Sequence, residues 1–274
     1  MRKLEIKYPV IKLLILILIP VAISCQKDDD DKMTEKEHNI ELETSQEIPT
    51  VINRNEKGTA NLKLYEDSTL SFKISVSDLS ADDQLTVAQI HTGGPVDVGS
   101  PVIVLVDNSA IKFNGNSASG TVKLNSSQFN AVKNDGDFYV NVHSTKLPLG
   151  LVRGQLNKTI TYAQNIDLTA MSNPLRPETG TAILRMDKDS TLFYKVSVNN
   201  LTEGDMLTSA QINVGASGVE GPSIISLYSS FDEYGTAKST DLTGSQANFL
   251  LTSPVYISVS SEQVPGELLR GQIR

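Results

Sequence analysis

The chain has 274 residues, 32 of them acidic and 24 basic, and a formal net charge of −8. It has one cysteine, no tryptophan and only 5% aromatic residues. A mildly acidic chain without a basic, aromatic-rich surface is not typical of a nucleic-acid-binding protein, and a single cysteine excludes an intramolecular disulfide.

The N-terminus has the order of a secretory signal peptide. Four basic residues precede the apolar run 13–23, which contains Pro20 and is too short to span a membrane, because a spanning helix needs about 20 residues. The residues that end at Cys25 resemble a lipobox, where a signal peptidase cuts before a cysteine that is then lipidated, although Ala22 stands where leucine is usual. We predict a signal peptide over residues 1–24 and lipidation of Cys25. The alternative is an incidental thiol in a signal peptide that is cut elsewhere.

An acidic segment follows the cysteine. Residues 25–49 carry nine acidic and three basic side chains, which predicts a flexible tether in which His38 needs no role. Its first part, Gln26 to Lys32, resembles the export signal of Bacteroidetes-type lipoproteins, and that resemblance implies a lipid-anchored position at the surface of the outer membrane. A solvated spacer is the simpler explanation of the same charges.

From about residue 50 the chain repeats itself. Gly58-Thr59-Ala60 recurs 122 residues later as Gly180-Thr181-Ala182, and Arg153-Gly154-Gln155 recurs 117 residues later as Arg270-Gly271-Gln272. Each copy is near the usual size of one domain. We therefore predict a first domain over residues 50–160 and a second over residues 161–274.

Within each copy the hydrophobic pattern is that of β-strands. Leu70, Phe72, Ile74 and Val76 alternate with polar residues, and further short apolar runs are separated by glycine, asparagine and proline. The pattern predicts an all-β fold of two tandem antiparallel β-sandwich or barrel domains. Short helical turns are expected at residues 125–131 and 240–250, and the segment 157–178 is either a linker or an extra strand.

Three motifs carry a resemblance to a known family. Ala88-Gln89-Ile90-His91, Tyr139 to Ser144 and Arg153-Gly154-Gln155 look like parts of a CHRD domain. The resemblance covers most of residues 50–157 and, more weakly, 170–274. It implies an extracellular all-β module without a well-established enzymatic activity.

CHRD domains often carry a second histidine in the first motif, and with the histidine of the second motif this would make a three-imidazole metal site reminiscent of copper/zinc superoxide dismutase. Here Gln89 replaces one of the three, which leaves His91 and His143. The second copy has no histidine at the matching positions. Because glutamine is a poor ligand for copper or zinc, we predict that Gln89, His91 and His143 belong to a polar hydrogen-bonding face, and we expect no metal or other cofactor.

Other polar motifs have structural explanations. Arg153 and Arg270 are expected to satisfy carboxylates or loop carbonyls in both copies. Asp82 and Asp83 are explained by turn formation. No serine lies in a nucleophile-elbow motif, so we predict no catalytic residues and no enzymatic activity.

Three functional hypotheses follow. The favoured one is a lipid-anchored cell-surface protein whose two non-enzymatic modules bind an unknown protein or glycan partner. The alternative is a copper- or zinc-binding, enzyme-like module that uses His91 and His143. The third is a structural spacer in a larger surface assembly, and no aromatic cluster in the sequence separates a binder from a spacer.

Overall fold

The computed structural model describes residues 32–107, 109–171 and 176–274. The predicted signal peptide, the predicted lipidation site Cys25 and residues 26–31 lie outside the described residues. The described part of the chain forms two all-β domains in tandem, as predicted. No helix in it is long and apolar enough to cross a membrane.

The first domain contains one antiparallel sheet of eight strands. In chain order its strands are β1 (Thr34–Glu43), β2 (Lys57–Tyr65), β3 (Thr69–Ser77), β4 (Leu85–Thr92), β5 (Pro101–Val106), β6 (Ser117–Lys123), β7 (Phe138–Ser144) and β8 (Val152–Gln155). They are arranged in the order β5-β4-β7-β8-β1-β2-β3-β6. The two edge strands, β5 and β6, also contact each other, so the sheet rolls around its apolar core.

The second domain repeats this arrangement strand for strand. Its strands are β9 (Ile160–Ala170), β10 (Thr179–Asp187), β11 (Thr191–Asn199), β12 (Leu207–Val214), β13 (Ser223–Tyr228), β14 (Lys238–Asp241), β15 (Val255–Ser261) and β16 (Leu269–Gln272). Their order is β13-β12-β15-β16-β9-β10-β11-β14, which is the order of the first sheet. The internal repeat of the sequence is therefore a repeat of topology.

The alternating pattern of β3 shows why these segments are strands. Leu70, Phe72, Ile74 and Val76 are buried in the core of the first domain, whereas the residues between them are half-buried or exposed. Successive side chains of a strand point to opposite faces, so one face is apolar and the other faces solvent. Each fully buried leucine or valine contributes roughly 1.5–3 kcal/mol of transfer free energy.

One short helix in each domain lies where the sequence predicted a helical turn. They are α1 (Ser126–Lys133) and α2 (Gly244–Thr252). Asn125 and Thr243 start them with capping boxes that include Gln128 and Gln246. Each glutamine also donates a 2.7 Å hydrogen bond from its Nε2 to a carbonyl, that of Val102 or Ile224, which attaches the helix to the neighbouring edge strand.

The first domain begins earlier than predicted. Strand β1 lies inside the segment predicted as a flexible tether, and the 3₁₀ turn Thr44–Gln46 after it is also folded. The prediction was wrong there because glutamates occupy the solvent-facing positions and hide the alternation of the buried residues His38, Ile40 and Leu42.

His38 also has a structural position, with Nδ1 3.0 Å from the Leu156 carbonyl oxygen and Nε2 3.1 Å from that of Val132.

The segment 157–178, left open between linker and strand, contributes β9, which pairs with β10 and β16. Strand β9 therefore belongs to the second domain.

Side chains of the second domain bind the turn that follows β1. Asn165 donates a 2.9 Å hydrogen bond from Nδ2 to the Glu47 carbonyl oxygen. Arg185 donates from Nη2 to the Gln46 carbonyl oxygen at 3.2 Å. Both bonds end on backbone carbonyls, which fixes the backbone around Glu47 between the two domains.

Candidate functional site

The outward side of strands β4, β7 and β8 carries a cluster of polar side chains. The core residues Ala88, Ile90, Val140 and Val142 point the other way, so strand alternation places the polar residues together. We call this cluster the polar face, and its members are Gln89, His91, Tyr139, Asn141, His143, Arg153 and Gln155. Loops 93–100 and 146–150 cover it, and most of its members are buried.

Arg153 is the buried centre of the polar face. Its Nη2 donates to the carbonyl oxygens of Gly94 at 2.7 Å and Asp97 at 2.8 Å, and its guanidinium carbon lies 3.5 Å from the centre of the Tyr139 ring. The cation therefore stacks on an aromatic ring while it binds the loop above it.

Arg270 repeats the arrangement in the second domain. Its Nη2 donates to the carbonyl oxygens of Ala216 at 2.9 Å and Val219 at 2.7 Å, and it stacks on Tyr256 at 3.4 Å. The predicted structural role of Arg153 and Arg270 is confirmed for the loop carbonyls.

The two arginines differ in their acidic neighbours. Arg270 forms a 3.2 Å ion pair with Glu267, whose counterpart in the first domain is Gly150. A Cβ atom on Gly150 would lie 2.6 Å from Glu47 Oε2 and 2.8 Å from the amide atoms of Asn141, and the φ angle of +148° also favours glycine. Gly150 thus leaves the space that the Glu47 carboxyl group occupies.

Glu47 is the most perturbed acid near this face. Only 2% of its surface is exposed, and burial raises the pKa of its carboxyl group from 4.5 to about 8 against the opposing charges of Arg153 and Arg185. Its Oε1 atom is buried and has no hydrogen-bond partner among the described residues. A buried carboxyl group with a raised pKa is a common feature of functional sites.

The two histidines of the polar face are oriented by backbone carbonyls. The Nδ1 atom of His91 lies 3.0 Å from the Gly99 carbonyl oxygen, and that of His143 lies 2.9 Å from the Pro148 carbonyl oxygen. Since a carbonyl only accepts, each Nδ1 carries the proton and each Nε2 carries a lone pair. Burial lowers the pKa of both rings, so both are neutral near neutral pH.

These histidines are close to each other. Their ring centres are 6.1 Å apart, and both Nε2 atoms are buried without a hydrogen-bond partner in the described part of the chain. Gln89 lies two residues before His91 on the same strand and pairs with Asn141. Residues 32–107, 109–171 and 176–274 contain no group of three or more histidine, cysteine or acidic side chains arranged to hold a metal ion.

In the second domain, more of the polar atoms on this face have a hydrogen-bond partner. Asn213, which replaces His91, donates a 2.7 Å hydrogen bond to Ser258, and Ser260, which replaces His143, donates to the Gly266 carbonyl oxygen. In the first domain, by contrast, five buried acceptors have no protein donor within the described ranges, whereas Gln272 Oε1 is the one at the equivalent positions of the second domain. The five are Glu47 Oε1, His91 Nε2, Asn141 Oδ1, His143 Nε2 and Gln155 Oε1.

An apolar cleft lies beside Glu47, between residues 47–52 and 146–150, and its volume is about 450 Å³. Its walls include Ile48, Pro49, Ile52, Leu147, Pro148 and Leu149. Ile52 and Leu149 are 75% and 76% exposed, which is unusual for side chains of this size.

Sequence reasoning missed a buried ion cluster that supports this cleft. Arg54 contacts Glu56 at 2.6 Å and Asp83 at 2.7 Å, and Asp83 accepts a hydrogen bond from Ser144 at 2.8 Å. Although burial favours the neutral acid, these hydrogen bonds hold the pKa of Asp83 below its usual value. Asp83 also accepts a bond from the backbone of Lys146, so it positions the loop that forms one wall of the cleft.

The second domain contains the same cluster, formed by Arg176, Glu178 and Asp205. All three lie 122 residues after their counterparts, so the spacing of the internal repeat could have revealed them. Turn formation alone was therefore an incomplete explanation of Asp83.

Fold and site together define a tandem all-β protein with an arginine-centred polar face in each domain. A family model of the CHRD domain matches residues 39–156 and 164–273, more than half of the chain. The chain therefore belongs to the CHRD domain family, with two tandem copies. No curated protein and no solved structure shows a significant match.

Proposed function

We propose that the chain is a lipid-anchored protein of the outer-membrane surface, cut before Cys25 and lipidated there, whose CHRD domains bind a partner without catalysing a reaction. The order of basic, apolar and small residues before Cys25 supports the anchor, and the acidic run after it supports surface export. Stable anchoring needs more than one acyl chain, as lipidation of a lipoprotein cysteine provides.

The difference between the two polar faces is the observation that carries the binding function. Buried polar atoms are normally hydrogen-bonded, and leaving one unsatisfied costs about 1–3 kcal/mol. Within the described residues, the first domain leaves five buried acceptors unpartnered near an exposed apolar cleft, whereas the second domain leaves one, Gln272 Oε1, at the equivalent positions. Such a combination is typical of a ligand-binding surface.

Two measurements test this function in cells. Metabolic labelling with an alkyne fatty acid should label the wild-type protein, and a Cys25→Ser variant should lose the label. External protease should degrade the wild type on intact cells, while replacing Asp28 to Asp31 by alanine should protect it. A labelled protein that resists protease in both forms would refute the surface location.

A second candidate function is metal binding, favoured by the two unpartnered Nε2 lone pairs of His91 and His143. Two imidazoles give fewer donors than the three protein ligands of a catalytic zinc site, so we place this candidate second. Titration of copper and zinc into the wild type and a His91→Ala/His143→Ala variant tests it. Stoichiometric binding that the variant loses would move this candidate to first place.

A further inference from the structure

The second domain contacts the first through the outward face of strands β9, β10 and β11. Asn165 and Arg185 bind the turn after β1, and Lys195 Nζ lies 3.1 Å from Asp97 Oδ1 in the loop over the polar face. Arg185 is fully buried, although its strand neighbours in the core point the other way. One face of the second sheet thus binds the polar-face end of the first domain.

The first sheet has the same row of side chains on its own outward face. Asn39 on β1, Asn61 on β2 and Lys73 on β3 lie opposite one another. The row has the register of its counterpart in the second sheet, which consists of Asn165, Ile183 and Lys195. The amide and the ammonium group that contact the first domain therefore recur at equivalent positions of the first sheet.

This face of the first domain is open to solvent. Asn39, Asn61 and Lys73 are all exposed, and a depression of about 250 Å³ lies between them. Lys63 occupies the position of Arg185, and 42% of its side chain is exposed. The face that is covered in the second domain is therefore uncovered in the first.

The loop over the polar face shows the opposite difference. Residues 94–96 of the first domain are buried, whereas their counterparts, residues 216–218, are exposed. Val219, at the position of Asp97, is 54% exposed. The two loops are equivalent because Arg153 and Arg270 each bind the carbonyl oxygens of the matching residues. The polar-face end is therefore covered in the first domain and uncovered in the second.

The outward face of the first sheet is basic on its β3 side. Strands β2, β3 and β6 contain four lysines and no acidic residue. Strand β1 contributes four glutamates, three of which form ion pairs with lysines. The charge of Lys73 and Lys123 is thus the excess charge on β3 and β6.

The polar-face end of the second domain is acidic. Its loops 215–222 and 262–267 contain Glu220, Glu262 and Glu267 and no basic residue. Glu220 and Glu262 are exposed. Opposite charges on two surfaces steer their association and disfavour other pairings.

We infer that the outward face of β1, β2 and β3 in one copy of the chain binds the polar-face end of the second domain in another copy. The contact repeats, between two chains, the packing of the two domains within one chain. It goes beyond the proposed function, since it requires neither the lipid anchor nor the unpartnered acceptors. Because the two surfaces differ, the association is head-to-tail and can continue to further copies.

The inferred contact consists of described residues alone. Residues 172–175, within the segment that corresponds to the turn after β1, lie outside the described residues and are no part of it.

Sedimentation velocity of the full chain in nonionic detergent tests the inference. The mass should rise with protein concentration, and raising the salt concentration should reduce it because salt screens exposed charges. Every variant keeps the same N-terminus, so detergent contributes equally to all of them. A mass that does not change with concentration would overturn the inference.

Two charge-reversal variants each block one surface. Lys63→Glu/Lys73→Glu changes the face of the first domain, and Val219→Lys/Glu220→Lys changes the loop of the second. Each variant alone should associate at least about tenfold more weakly than the wild type, which is about 1.4 kcal/mol. A 1:1 mixture should associate again, because the unchanged end of one variant meets the unchanged face of the other.

The mixture distinguishes head-to-tail contact from other modes. A symmetric contact through one surface would leave one of the two variants associating like the wild type. That result, or a mixture that stays monomeric, would overturn the inference.

A matched control separates the two surfaces from net charge. Lys133→Glu/Lys146→Glu makes the same change of charge at lysines outside both surfaces, and it should associate like the wild type. An equal loss in this variant would assign the effect to net charge and overturn the inference. Thermal unfolding of each variant verifies folding. If no variant or wild type associates while Cys25 labelling and surface exposure hold, self-association fails and the proposed location stands.

Discussion

The two domains share one strand order, and each has an arginine stacked on a tyrosine. They differ in how many atoms of the polar face have a hydrogen-bond partner. In the second domain, Asn213 and Ser258 form a hydrogen bond within the face, and Glu267 forms an ion pair with Arg270. In the first, glycine replaces the acid, and Glu47 enters from the turn after β1. A few substitutions therefore leave more polar atoms unpartnered in one copy of the scaffold than in the other.

The largest expected effect is the pH dependence that Glu47 imposes on stability. Its pKa is higher in the folded protein than in the unfolded chain, so the folded state retains the proton between about pH 4.5 and 8 while the unfolded state releases it. Stability should therefore fall as pH rises through this window, by roughly 5 kcal/mol in total. Glu47→Gln should remove this slope in urea unfolding at several pH values, and exposed Glu37→Gln should keep it. A wild-type stability that rises over the same window would contradict the assignment.

The buried ion clusters should respond alike in both domains. Arg54→Ala leaves Glu56 and Asp83 buried without their cation and should cost about 3 kcal/mol, and Arg176→Ala should cost a similar amount. Lys57→Ala, which breaks an exposed ion pair, should cost less than about 1 kcal/mol. Chemical denaturation measures all three, and unequal effects of the two arginine variants would show that the clusters are not equivalent.

Alanine substitutions at Gly150 and at Gly266 should differ in their effect on stability. Gly150→Ala should destabilise the protein by about 1–3 kcal/mol, because its backbone conformation disfavours a side chain and its Cβ would clash with Glu47 and Asn141. Gly266→Ala, in the equivalent loop of the second domain, meets no atom within 4 Å and should change stability by less than about 0.5 kcal/mol. Similar losses in both variants would remove the reason given for glycine at position 150.

The smallest effect is expected at His143. His143→Ser introduces the residue of the second domain and removes one hydrogen bond to the Pro148 carbonyl, which is worth about 1 kcal/mol. A loss above about 3 kcal/mol would mean that His143 makes a contact beyond this bond. Thermal unfolding with and without added copper also reports whether the ring holds a metal.

Much of the fold could be predicted from local patterns. The alternation in β3, the two short helices and the spacing of the repeat each depend on residues near in sequence. Strand β1 was missed because its exposed glutamates resembled a charged spacer, and only pairing with β2 and β8 distinguishes it. Burial of three alternating side chains decided the outcome.

The candidate site was predicted in part. Its histidines and arginine lie in recognisable motifs, so the sequence identified the strands that carry them. No sequence pattern distinguished Glu47, since it is one of nine acidic residues in the segment 25–49. Its importance comes from burial between two domains, which raises the pKa of its carboxyl group.

By itself, the sequence determined the all-β class, the two copies, the family motifs and the likeness of the N-terminus to a lipoprotein signal, because periodicity and spacing record which residues share a face. The tertiary structure alone decided which polar groups lost water without gaining a partner. Desolvation depends on what packs over a side chain, and the loop at Gly150 and the second domain that cover Glu47 are distant from it in sequence. The same strand order therefore carries a polar face with several unpartnered buried atoms in the first domain and one with fewer in the second, among the residues that the structure describes.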